Sequence, residues 1–127
     1  MKKVLFLLVA LLLVGTMTTY AQSMLSAAGK FTVDGKVDGF NLGAGSGARS
    51  NTVYIAFPSK FPTAPNVLVT LSGISAGAGK DGNVNVAVTA ENITSEGFNV
   101  KASTWGDTRV SAVYGTWVAV AAKTPAK

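Results

Sequence analysis

The segment Val84–Thr104, VNVAVTAENITSEGFNVKAST, changes character at every second residue. Val84, Val86 and Val88 alternate with Asn85, Ala87 and Thr89; after TSEG, Phe98, Val100 and Ala102 alternate with Asn99, Lys101 and Ser103. A period of two places each set on one face of an extended chain, which predicts half-buried strands over 84–93 and 98–104 joined by a short turn. The pattern continues on both sides. GKFTVDG (29–35) alternates around Phe31 and Val33, TVYIAF (52–57) is β-branched and aromatic, and NVLVTLSGI (66–74) sets Val67, Val69 and Leu71 on one face. TRVSAVYGTWVAVAAK (108–123) reads as a long closing strand, with Gly115 marking a bulge in its middle. Between the strands lie the glycine-rich GAGSGARSN (43–51) and SAGAGKDGN (75–83), and PSKFPTAP (58–65), whose three prolines deny a central strand its donors. Beyond the first 21 residues no helical apolar stripe is sustained. Six strands and short turns predict an all-β fold, a six-stranded antiparallel β-sandwich, with a closed barrel as the alternative.

The chain has 127 residues, and its first 21 read as a secretory signal peptide. MKK is a basic start, Val4–Val14 is an unbroken apolar run, and Thr19 and Ala21 are the small residues before a cut between Ala21 and Gln22. Eleven apolar residues fall short of the roughly 20 that span a bilayer, so no membrane partner is expected after cleavage. The expected product is secreted, either extracellular or periplasmic, with residues 22–28 a linker, 29–122 the sandwich and 123–127 a loose tail. Removing Lys2 and Lys3 from the eleven basic residues leaves nine against six acidic ones, scattered singly, which argues against a nucleic-acid partner.

The chain lacks cysteine and histidine altogether. No disulfide staples the domain, and neither a Ser-His-Asp triad, a Cys-His pair nor a histidine zinc site can be built. Asp81, Asn83 and Asn85 in KDGNVN resemble the start of a calcium loop, but the closing glutamate is missing, so no metal or other cofactor is expected. No motif pairs two of the six carboxylates for acid–base work. The sequence therefore predicts no enzyme.

Phe57, Pro65, Val67, Gly97, Phe98, Trp105, Thr108, Val110 and Trp117 follow one another in an order that resembles the H-type lectin domain. The resemblance runs from about Gly29 to Ala122 and is tightest over 66–120. It implies a six-stranded sandwich that assembles as a homotrimer, with galactose or N-acetylgalactosamine bound between protomers and a role in cell-surface adhesion or recognition. Three positions depart from the family pattern. Gly106 stands where the family usually has a histidine, Asn85 where it has an arginine, and the loop within Gly43–Ser50, a sugar-contacting loop in the family, contains no acid.

The candidate sugar-binding residues are Arg49, Asn85, Trp105, Gly106, Asp107 and Arg109. A sugar needs an apolar surface for its C–H face and carboxylates and amides for its hydroxyls, and the segment after the fifth strand offers both. Four of them have a plainer alternative. Trp105 serves as core or subunit interface, as Trp117 does in the closing strand; Asp107 and Arg109 form a solvated ion pair; Asn83 and Asn85 merely face water. Two functions stay open: a multivalent carbohydrate-binding module, or a self-assembling extracellular protein that keeps the sandwich without a working sugar site.

Overall fold

The computed structural model describes residues 23–123; the expected leader and cut site (1–21 and Gln22) and residues 124–127 lie outside them. Six strands run in the order β1 (Met24–Asp34), β2 (Arg49–Ala56), β3 (Asn66–Gly77), β4 (Val86–Glu91), β5 (Gly97–Thr104) and β6 (Arg109–Ala122). They form two antiparallel three-stranded sheets, β1-β6-β3 and β2-β5-β4. This is the antiparallel sandwich the alternation predicts, with two open sheets in place of a closed barrel.

The central strands β5 and β6 are those that bury most of their inward side chains. Phe98, Val100 and Ala102 of β5 and Val110, Val113, Trp117 and Ala119 of β6 are buried against Phe31 and Val33 of β1. Phe57 and Phe61 enter the same core from the proline-rich connection. The Phe57 ring centroid lies 4.9 Å from Phe61, 5.5 Å from Phe98 and 5.7 Å from Trp117. The connection can bury two aromatic rings because its backbone is held elsewhere, Phe57 N–H donating to the Glu96 carbonyl and Phe61 N–H to that of Ser95.

Several bounds differ from expectation: β2 starts at Arg49 and β3 runs to Gly77, inside the expected loops, and β4 is only Val86–Glu91. β1 begins at Met24, so most of the supposed linker 22–28 is strand, paired from Met24 with Ala122 to Ala28 with Val118. The long β6 presents backbone donors and acceptors along its whole length, and pairing them also sets Leu25 and Ala27 against the core. Lys123, the first residue of the supposed tail, still donates its N–H to Ser23. The bulge lies across from Gly115, not at it: Leu71 faces Gly115 and Gly73 faces Tyr114, which leaves Ser72 as the extra residue in β3. Gly115 is required for another reason. A Cβ there would strike the Phe31 ring and the Thr70 carbonyl.

The outer faces of the two sheets are unlike. On β1-β6-β3, one cross-strand row brings together Ala28, Val118 and Leu68, with Met24 and Tyr114 also open to solvent. Leu68 is 65% exposed and Val118 42%. On β2-β5-β4 the corresponding rows are polar: Thr52, Lys101 and Thr89 in one, Tyr54, Asn99 and Glu91 in the next.

Candidate functional site

Three connections meet at one end of the sandwich: the loop before β2, the turn before β4 and the turn from β5 to β6. The last of these reverses through Gly106, whose φ of 65° lies in the left-handed region that favours glycine. A histidine at this position would carry a Cβ in that strained conformation, and it would sit 3.4 Å from the Asn85 side-chain amide.

Arg49 ties two of these connections together. Its Nη2 donates to the carbonyls of Thr108 (2.7 Å) and Gly106 (3.2 Å), its Nη1 to Ala44 (2.6 Å) and Leu42 (3.5 Å), and its Nε to Gly47 (3.2 Å). All five donors of the guanidinium thus face backbone oxygens. Backbone bonds run alongside, from Gly47 N–H to Gly106 and from Val110 N–H to Leu42. Asn51 secures the far end of the loop, accepting from Asn41 N–H and donating to Gly39 at 2.9 Å each. The glycine-rich stretch that reads as a slack connector is docked at both ends, and Leu42 just before it is fully buried.

Asn85 ties in the third connection. Its N–H donates to the Thr108 hydroxyl (3.0 Å), its side-chain amide to the Trp105 carbonyl (3.3 Å), and its own carbonyl accepts from Thr104 (2.7 Å). Thr108 in turn donates to the Asn83 carbonyl. The two buried threonines that bracket TWGDT are therefore the pins of this turn. Their signal in the sequence is a hydroxyl at an inward position, where an alternating strand calls for an apolar side chain. Asp81 does not point toward Asn85. Its carboxylate accepts the Asn83 N–H and side-chain amide, which together hold its pKa below the usual carboxylate range.

Two clefts flank the β5–β6 turn. The larger, about 610 Å³, is lined by Gly45, Ser46, Ala78, Gly79, Lys80, Asp107 and Arg109. The smaller, about 240 Å³, is lined by Ser50, Lys101, Ser103, Thr104 and Trp105 beside Arg49. The structure thus groups Asp107 with Arg109 and Trp105 with Arg49, and it sets Gly106 and Asn85 in the framework between them. Trp105 is 47% exposed, which removes the core alternative for it; Trp117, at 4%, is core. Asp107 and Arg109 do not pair with each other, since the ion pairs among the described residues are Lys60–Glu96 and Lys101–Glu91. Lys80 and Ser46 join the larger cleft without a sequence signal of their own.

Residues 52–120 match the H-type lectin domain, a span that takes in Asn85, Trp105, Gly106, Asp107 and Arg109 and begins after Arg49. A relative from Fuscovulum blasticum, described as "ATP synthase subunits region ORF 7", is 35% identical over 83 residues, or 65% of this chain and 70% of the relative. Recombinant discoidin II of Dictyostelium discoideum superposes with a TM-score of 0.72 at 24% identity, and wild-type discoidin II with the same score at 25%. Both superpositions cover 80% of this chain but only 38% of discoidin II.

Proposed function

The chain belongs to the H-type lectin domain family, and from that premise we propose that it is a non-enzymatic carbohydrate-binding module whose ligand sits against the β5–β6 turn. The observation that carries this reading is the 610 Å³ cleft, in which the Asp107 carboxylate and the Ser46 hydroxyl stand on loops pinned by Arg49, Thr104 and Thr108. Its volume suits a small saccharide, and the supporting hydrogen bonds give the rigid platform such a ligand needs. Galactose and N-acetylgalactosamine, the sugars of the family, are the first ligands to test. With Gly106 and Asn85 at the family's histidine and arginine positions, Asp107 takes over as the acceptor of sugar hydroxyls.

A glycan array on the chain, followed by titration of the best ligand, tests this. Asp107→Asn is expected to weaken binding, each lost charge-assisted bond being worth about 1.5–3 kcal/mol, with the melting temperature unchanged because the side chain is exposed. Trp105→Ala removes a half-exposed ring, so its cost in stability stays below that of truncating a fully buried tryptophan while affinity for an oligosaccharide reaching the smaller cleft falls. An array without any bound glycan, together with two silent variants, would favour the self-assembling protein instead.

Assembly belongs to the same proposal. The outer face of β1-β6-β3, where Ala28, Val118 and Leu68 form an exposed apolar row between polar ones, is the surface through which copies associate into a homotrimer. Three sites on one rigid body raise the avidity for a sugar-coated surface by roughly 10²-fold or more, which suits an exported protein acting in adhesion or recognition. Leu68→Asp places a charge at the centre of that face without touching the core. Sedimentation at micromolar concentration is expected to show a trimer for the natural chain and a folded monomer for the variant. Equal sedimentation of the two would exclude this face as the interface.

A further inference from the structure

The smaller cleft opens on the outer face of β2-β5-β4. Ser50, Lys101 and Ser103, which line it with Trp105, alternate along their strands with Asn51, Val100, Ala102 and Thr104, which are buried. Away from the cleft the same face continues in two cross-strand rows, first Thr52, Lys101 and Thr89, then Tyr54, Asn99 and Glu91. Tyr54 closes it. The tip of the Tyr54 ring lies over Gly97, where a Cβ would strike it, and at 59% exposure much of the phenol stays open to solvent. Two partly exposed aromatic rings thus stand at the two ends of one polar face. Trp105 lies six positions beyond Asn99, the cross-strand neighbour of Tyr54, which is about 20 Å of extended chain.

The chemistry of this face separates its possible occupants. A protein partner needs an apolar centre, which the β1-β6-β3 face has and this one, with Lys101 at its middle, lacks. A nucleic acid needs unmatched cations, but Lys101 pairs with Glu91 at 3.4 Å and Arg49 is committed to backbone carbonyls. A neutral glycan chain presents hydroxyls along its edges and apolar C–H faces on its rings. The hydroxyls of Thr52, Thr89 and Ser103 and the Asn99 amide match the former, and the two aromatic rings match the latter. We propose that the face from Trp105 to Tyr54 is a track for a neutral oligosaccharide several rings long, which enters at the β5–β6 turn and ends with a sugar ring against Tyr54. The inference rests on the lectin reading and adds a length requirement to it: the terminal sugar is held at the turn, and the chain behind it lies along the sheet.

Calorimetric titration with two neutral galactose oligomers, a disaccharide and a hexasaccharide, tests it. The natural chain is expected to bind the hexasaccharide roughly tenfold tighter, the gain from one more ring stacked on an aromatic side chain and from hydrogen bonds along the rows. Tyr54→Ala is expected to remove most of that gain and to leave the disaccharide's affinity unchanged, whereas Tyr54→Phe, which keeps the ring over Gly97, retains it. Asn99→Ala leaves Gly97 covered, and it is expected to lower the hexasaccharide's affinity about threefold and the disaccharide's not at all. Equal affinity of the natural chain for the two oligomers would overturn the track and leave the lectin reading standing. An equal loss for both in Tyr54→Ala would also overturn it, because the ring would then serve only to cover Gly97 and support the sheet. Should Tyr54→Ala not fold, Asn99→Ala decides in its place, an unchanged ratio of the two affinities overturning the track. Binding of neither oligomer sinks both readings together.

Discussion

Trp117→Ala is expected to destabilise the chain by about 3–5 kcal/mol, the range for deleting a large buried aromatic ring. Trp117 is 4% exposed, its ring centroid lies 5.5 Å from Phe98 and 5.7 Å from Phe57, and its indole lies directly on Gly29 of the neighbouring strand. Gly29 has no side chain with which to fill the space, and the flanking rings are fixed by β5 and by the Phe57–Phe61 contact. The cavity therefore stays open. At roughly 4–8 °C per kcal/mol for a domain of about this size, the melting midpoint drops by about 12 °C at the least, and by about 24 °C in the middle of the range. Calorimetry that finds a shift below about 5 °C would mean that the core collapses around the deletion. Trp105→Ala is the natural control, the same change at an exposed position.

Arg49→Ala is expected to cost about 2–3 kcal/mol and to abolish binding at both clefts. Net values for hydrogen bonds to charged groups run near 1.5–3 kcal/mol each, but Arg49 is only partly buried and water takes over part of what is lost, so the total stays well below the sum over its carbonyls. The larger consequence is positional. Without the guanidinium, the loop from Leu42 to Gly47 and the turn from Gly106 to Thr108 are joined only by the two backbone bonds beside it. Amide exchange at Gly47 and Val110, the donors of those bonds, should accelerate along with the loss of affinity. Arg49→Lys should rescue little, because one ammonium with three donors cannot span carbonyls on two loops. Unchanged exchange at both amides in Arg49→Ala would show that the loops hold themselves.

The alternation determined by itself that Val86–Glu91 and Gly97–Thr104 form strands and which face of the second turns inward, because a period of two is a local property that needs no partner to be read; Val84, expected on the buried face, is exposed and lies outside β4. The distribution of glycines, the missing cysteines and histidines, and the order of aromatic positions narrowed the family and the chemistry in the same local way. The first five residues of β1, Met24–Ala28, were not legible, since MLSAA has no clean apolar–polar alternation and the strand exists only because β6 is long enough to pair with it. Leu42 and Phe61 join the core from segments rich in glycine and proline, where no periodicity announces burial. The candidate site was legible as a set of residues but not as a geometry. The reversal at Gly106 sends Trp105 to one cleft and Asp107 to the other, although the two lie only two positions apart. Arg49 and Thr108 are 59 residues apart, and their bond decides whether a glycine-rich loop is slack or docked. Contacts of that separation depend on how the two sheets stack, so only the tertiary structure could turn the arginine from a ligand for sugar into the pin that shapes the site.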